Sequence, residues 1–264
     1  LIEYKLGKCL VKGYCGLYNS KAMSGHSHYS TIKRAKEAND AQRGKIFSKF
    51  AREIGIVVRE GGGIDPAFNY KLRMVLDKAR TVNMPKDNIE RAISKSASGI
   101  SLEKILYEGF GPGNISVIVE AATDNKNRTS QEVKNLFERG GGRMAGPGAV
   151  SFNFENKGLL VVQKDDVPDE QMLKMIDLGV EDIDETSDGF EVYTQPDKLY
   201  EVKGQLEKAG FTVTLAELYM KPKMFQTVTD SNDAKKAIAF IDLLNDHDDV
   251  QNVFSNLDVP DNLL

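Results

Sequence analysis

Between residues 158 and 219 the residue pattern runs strand, helix, strand, strand, helix, strand, and that order leaves few ways to fold. β-rich runs at 158–163, 180–185, 190–194 and 211–219 enclose helical segments at about 168–178 and 196–209. The order is that of a ferredoxin-like unit. Upstream, strand-like runs at 105–110 and 115–122 flank the turn Gly111-Pro112-Gly113-Asn114. A helix follows in which Thr129 and Glu132 are spaced as a capping box, then a glycine stop at 140–142 and a further strand at 149–154. Downstream, a helix at 233–244 and a strand at 250–257 close a second unit of similar kind. The expectation is therefore an α+β chain in which one ferredoxin-like domain (157–219) is inserted into a discontinuous α/β middle domain (99–156 and 220–264).

Residues 23–98 read differently. Ile46, Phe47, Phe50, Ile54, Val57 and Val58 fall within roughly 120° of a helical wheel, the stripe of a core-facing helix. Lys45, Lys49, Arg52 and Arg59 occupy the opposite arc, with heads expected to reach a phosphate backbone. Two more helices follow, one bearing Leu72, Val75, Leu76 and Ala79, the other opened by Pro85 with Asp87 and Glu90 in its first turns. These residues are expected to form a helical N-terminal domain, making three domains in all. A chain of 264 residues exceeds what one core needs, at ~100–150 residues per domain.

Charge follows the same division. Twelve basic residues face six acidic ones between Ser24 and Arg80, whereas eleven acidic residues face only Lys174 between Asp165 and Glu191. Such asymmetry points to a basic module that engages polyanion while the acidic modules stay solvated. His28 and Tyr29 lie beside Lys33 and Arg34, where they can stack on bases, and glycine triplets beside basic helices allow close approach of a backbone to phosphate. The candidate nucleic-acid-binding residues are Gly25, His26, His28, Tyr29, Lys33, Arg34, Lys36, Arg43, Lys45, Lys49, Arg52 and Arg59.

Several function classes drop out. No run approaches the ~18 uncharged apolar residues that span a bilayer, so no membrane partner is expected. Cys9 and Cys15 are the only cysteines, so the chain from Met23 onward has neither disulfide nor thiolate metal cage, which fits a reducing compartment. Three histidines, His26, His28 and His247, supply no convergent ligand set. Neither a dinucleotide fingerprint nor a Walker loop nor a nucleophile elbow is present. The expectation is no catalytic residue, no metal and no cofactor. Residues 1–22 read as an appendage: a tag, an over-called start or a targeting segment. The chain is expected in the cytoplasm, or in the mitochondrion if that segment is a targeting signal, and as a monomer.

Specific runs carry a resemblance. Ser24-Gly25-His26-Ser27-His28-Tyr29, Asp40-Ala41-Gln42-Arg43-Gly44-Lys45, Arg59-Glu60-Gly61-Gly62-Gly63, Asn83-Met84-Pro85-Lys86-Asp87-Asn88-Ile89-Glu90-Arg91-Ala92 and Tyr107-Glu108-Gly109 closely resemble the YebC/PmpR family. The resemblance runs from Met23 to the C terminus and implies three domains around a cleft. It also implies a probable transcriptional regulator that binds DNA. Mitochondrial relatives resemble translational activators of cytochrome c oxidase, and bacterial ones look like ribosome-associated factors relieving stalling at proline-rich sequences, which makes ribosomal RNA and the ribosome the alternative partners. Where the family often has Lys-Trp after Gly-His-Ser, this chain has His28-Tyr29, giving up one permanent positive charge and one larger stacking ring.

Overall fold

The computed structural model of the protein describes residues 40–60, 63–97, 102–165, 167–186 and 189–260. Three helices come first: α1 (Asp40–Glu60), α2 (Tyr70–Thr81) and α3 (Lys86–Ala97). The apolar spacing read from the sequence builds their shared core, where Ile54, Val57 and Val58 of α1 meet Leu72, Val75, Leu76 and Ala79 of α2 and Ile89 and Ala92 of α3. Asn69 caps α2, its side-chain oxygen accepting the Leu72 amide at 3.0 Å and supplying one of the bonds a helix start lacks. Asn83, in the left-handed region at φ 56°, reverses the chain between α2 and α3.

The next unit is a four-stranded antiparallel sheet of order β3-β1-β2-β9, made by β1 (Glu103–Phe110), β2 (Ser116–Thr123), β3 (Arg143–Ala145) and β9 (Val250–Ser255). Two helices, α4 (Lys126–Arg139) and α7 (Ser231–Asn245), cover one face. Every residue of the central strand β2 is buried. Its alternation sends Val117, Val119 and Ala121 into the core with Val133, Phe137, Ala237, Phe240 and Leu244. The glycines at 140 and 142 serve this core rather than a phosphate: the Phe240 ring packs so closely that a Cβ on Gly140 would sit 2.4 Å from it, and one on Gly142 2.9 Å.

The third unit is inserted between β3 and α7. It comprises β4 (Phe154–Gln163), α5 (Pro168–Ile176), β5 (Asp182–Glu185), β6 (Gly189–Thr194), α6 (Leu199–Lys208) and β7 (Val213–Pro222). Its sheet order, β5-β6-β4-β7 with all pairs antiparallel, is the ferredoxin-like arrangement, over a core of Leu160, Val162, Phe190, Val192, Met175, Leu199, Val202 and Leu206. A short parallel pair, β8 (Gln226–Thr227) with β10 (Leu257–Asp258), completes the return to the middle unit. The two large sheets meet through the faces opposite their own helices, where Ile118, Phe154 and Phe254 cluster with Tyr219, whose ring lies 5.6 Å edge-on from that of Phe254.

Two local expectations differ from the structure for physical reasons. Residues 149–153 do not form a strand, and only Phe154 of the expected run enters one, at the start of β4. The Glu108 carboxylate accepts the amides of Gly148 at 2.8 Å, Val150 at 2.8 Å and Ser151 at 3.0 Å, taking donors that a ladder would need, and residues 151–153 coil into one 3₁₀ turn before β4 begins. Thr129 is not a helix cap either. Asn125 caps α4, while Thr129 lies buried inside the helix with its hydroxyl on Thr123 and Asp249.

Burial alone would raise the Glu108 carboxyl, but the Val150, Gly148 and Ser151 amides outweigh it and the net direction is down. Its stabilising contribution is then complete above the ordinary carboxylate range, at about pH 4.3, and is lost as pH falls through the depressed folded value. Glu108→Gln is expected to lower unfolding free energy by about 1–3 kcal/mol at neutral pH, with the deficit shrinking in acid, read from urea midpoints at both pH values.

Candidate nucleic-acid interface

At ~100° per residue, Lys45, Lys49 and Arg52 share one arc of α1, and so does Ile56. Ile56 is only 7% exposed, so this arc is a second contact face rather than an open one. It docks on β2, β9 and the turn that joins α7 to β9. The Lys45 amine pairs with Asp246 at 3.0 Å. The Lys49 amine donates to the Asn245 carbonyl at the end of α7, and Arg52 donates to the Asp248 carbonyl while pairing with the Asp249 carboxylate at 2.8 Å. Exposed carbonyls at a helix C-terminus carry partial negative charge, which adds to the acidic side chains there.

Asp249 organises the far side of this contact. One oxygen takes Arg52; the other accepts the Thr129 hydroxyl at 2.6 Å and Arg128 at 2.9 Å. Burial would raise its carboxyl, yet the Thr129 and Arg128 hydrogen bonds and the Arg52 charge prevail and hold it below the usual range. Glu132 and His247 stand beside it, Nε2 of His247 lying 3.1 Å from Glu132, so the three have the spacing of a metal site. The Asp249 oxygens are already taken by two guanidinium groups and a hydroxyl, Nδ1 of His247 accepts the Asp249 amide at 3.1 Å and Nε2 lies on Glu132, so a cation would have to displace these partners. Around the Lys49 amine, burial is the dominant effect, only partly offset by Asp246 and Asp248, and lowers its pKa to about 8.

A second polar seam joins all three units. Lys78 of α2 pairs with Glu217 of β7, and Glu53 of α1 faces that pair together with Glu120 of β2 and Lys104 of β1. Lys104 pairs with Glu120 at 2.8 Å, and Asn252 of β9 donates to Glu120 at 2.9 Å. Burial would lower the Lys78 amine, but the charges of Glu217 and Glu53 outweigh it and raise it; burial dominates at Glu53 and raises that carboxyl. Met74 of α2 adds an apolar contact by entering the core of the inserted unit.

The sequence-derived site residues thus part company. Gly25, His26, His28, Tyr29, Lys33, Arg34 and Lys36 lie outside the described residues. Arg43 and Arg59 are exposed on α1. Lys45, Lys49 and Arg52 hold the acidic turn instead of standing clear of the protein. The sequence did hold a signal for this: an isoleucine in the middle of a basic arc marks a face that is covered. Beyond α1 the surface of the helical unit carries Lys71, Arg73, Arg80, Lys86, Arg91 and Lys95. Sequence reasoning also passed over Phe68 and Tyr70 at the start of α2, which are exposed.

A basic three-helix unit fastened by ion pairs to two antiparallel-sheet units, one inserted in the other, defines the class of protein. Residues 27–99 match the TACO1/YebC protein N-terminal domain, and residues 102–257 match the TACO1/YebC second and third domain. The chain belongs to the TACO1/YebC family. It is 46% identical over 242 residues to a probable transcriptional regulatory protein of Geobacillus sp. (strain WCH70), covering 89% of this chain and 98% of that one. It is 42% identical over 248 residues to a protein of the same description from Syntrophomonas wolfei, covering 92% and 99%. A crystal structure of a conserved hypothetical protein from Aquifex aeolicus matches with a TM-score of 0.80 and 42% identity, over 89% of this chain and 98% of that chain.

Two outcomes follow from the docked arc. Arg52→Ala leaves a buried carboxylate with one charged partner fewer, so unfolding free energy should drop by about 1–3 kcal/mol and α1 amides should exchange faster with deuterium. An undocked Lys49 titrates near 10.5 and the docked one near 8, so between those values the undocked state holds the extra proton. This residue alone therefore makes docking more favourable as pH rises through that window. The difference in urea midpoint between the protein and Lys49→Met should shift in the protein's favour from pH 7.5 to pH 9.5.

Proposed function

We propose that this chain is a non-enzymatic regulator of gene expression that acts by binding nucleic acid, with DNA as its target. The observation that carries this reading is the charge of the helical unit: residues 40–97 hold twelve basic side chains against seven acidic ones, in a chain whose formal net charge is −4. Four of those cations, Lys45, Lys49, Arg52 and Lys78, are engaged at the seams between units, and eight remain at the surface. Membership of a family whose bacterial members are named probable transcriptional regulatory proteins supports the same reading and favours action in the cytoplasm.

The contact set proposed is Gly25, His26, His28, Tyr29, Lys33, Arg34 and Lys36 together with Arg43 and Arg59. Lys45, Lys49 and Arg52 join it only where phosphates displace the turn at 246–249. No helix among the described residues is long and apolar enough to cross a membrane. A second reading, a translation factor on ribosomal RNA, is favoured by one feature: α1 is held on two sides, which leaves it poorly placed to enter a major groove, whereas RNA is recognised by shape and phosphate contact.

Binding of a fluorescent duplex should weaken steeply with salt, and charge reversal of Arg43 and Arg59 should reduce the slope of log affinity against log salt by about one per cation removed. Unchanged affinity and slope would overturn the reading. Co-sedimentation with ribosomes that survives nuclease removal of DNA would favour the ribosomal alternative.

A further inference from the structure

The turn between α1 and α2 presents an aromatic surface that the core does not use. Phe68 is 84% exposed, and Ile64 and Tyr70 are 56% and 53% exposed, three large apolar side chains within seven residues of one another. Fully burying such a side chain is worth about 1.5–3 kcal/mol, and Phe68 gains almost none of it in the folded chain. The turn is nevertheless firmly built. Asn69, next to Phe68 and wholly buried, donates through Nδ2 to the Val57 carbonyl at 2.8 Å and the Gly63 carbonyl at 2.9 Å, and its own amide reaches the Asp65 carbonyl at 2.9 Å. Asp65 in turn accepts the Ala67 amide at 2.8 Å. Phe68 thus stands on a backbone fixed from both sides.

Cations lie close to it in sequence, with the Lys71 amine also 3.9 Å from the Glu60 carboxylate. The Arg73 guanidinium lies on the carbonyls of Pro66 and Ala67, at 3.0 and 3.1 Å, immediately before Phe68. Lys71 follows Tyr70, and Arg59 closes the last turn of α1, to which the Gly63 amide ties the turn through the Val58 carbonyl. A flat apolar ring flanked by permanent positive charge is the combination that holds an unpaired base and its phosphate: every base has a π-face to stack, and the backbone supplies the anion. Paired bases have their faces covered by stacking, so a duplex offers such a ring little. A protein partner would use the apolar side chains, but only an acidic one would use the cations, and neither needs the open face of a ring.

We propose that the Ile64–Tyr70 turn is a stacking platform for single-stranded nucleic acid, with a base on Phe68, a neighbour on Tyr70, and phosphates drawn to Arg59, Lys71 and Arg73. This rests on the nucleic-acid reading above and adds the strand state and the place of contact. The backbone that carries the ring is fixed before the ligand arrives, so little backbone ordering entropy is lost on binding.

The test uses the full chain, a fluorescein-labelled twelve-nucleotide oligothymidylate, its uridylate equivalent and a duplex of the same length. Phe68→Ala should weaken both single strands at least about five-fold, the low end for base-on-aromatic stacking, and leave the duplex within about two-fold. An unchanged thermal midpoint shows that the variant folds. The chain contains no tryptophan, so Phe68→Trp places a single indole at the site; it should restore single-strand binding, and its fluorescence should be quenched as unlabelled oligothymidylate is added. Full single-strand affinity in Phe68→Ala, or an unquenched indole under saturating oligonucleotide, overturns the platform alone and leaves the turn as a protein-contact tip. A wild-type chain that binds neither single strands nor duplex overturns the nucleic-acid reading and the platform with it.

Discussion

The arrangement of the three units depends on charges that the chain neutralises within itself. Lys45, Lys49 and Arg52 of α1 reach the turn at 245–249, where Asp249 also gathers Arg128 and Thr129 from α4. The helical unit, the middle sheet and the end of α7 are thereby tied at one carboxylate. About a quarter turn around α1 from Arg52, Glu53 faces Lys78 and Glu217, which extends the connection to the inserted sheet. Ion pairs taken out of water gain little net stability, since desolvation offsets most of the attraction, but a mispaired arrangement would strand a buried charge at several kcal/mol. Such seams favour one orientation over others more than they add to cohesion. Cohesion comes from the apolar contacts beside them, Ile56 in the α1 arc and Met74 in the core of the inserted unit.

This has a consequence for how a polyanion meets the protein. An acidic turn backed by the C-terminus of α7 offers α1 the same negative charge that phosphates would, so a phosphate would have to compete with it for the same lysines. The cations left at the surface belong to the ends of the helical unit, around the α1–α2 turn and along α2 and α3, rather than to the middle of α1. On the proposed function, contact through these residues would suit an extended or looped strand better than the groove of a straight duplex.

Much of the architecture was legible because local periodicity and turn chemistry agree with the tertiary outcome. The strand and helix order from β4 to β7 emerged as read, and its antiparallel sheet has the order that the element sequence demands. Local pattern and structure part where a distant side chain takes over local hydrogen-bond donors. Glu108, forty residues earlier in sequence, claims the amides at 148, 150 and 151 and turns an apparent strand into a 3₁₀ turn. Asp249, 120 residues later, draws Thr129 inward, and Asn125 caps α4 in its place. Neither contact leaves a periodic trace.

By itself the sequence determined which residues are apolar on which period, where glycines and asparagines permit the chain to reverse, and that positive charge is gathered toward the amino end. These are properties of neighbours along the chain, set by sterics and by the cost of exposing apolar surface. Only the tertiary structure decided which charges face water and which face each other. A lysine looks the same in sequence whether its head meets a phosphate or Asn245, because charge pairing over some two hundred residues is settled by where the cores bring the helices, not by the residues on either side.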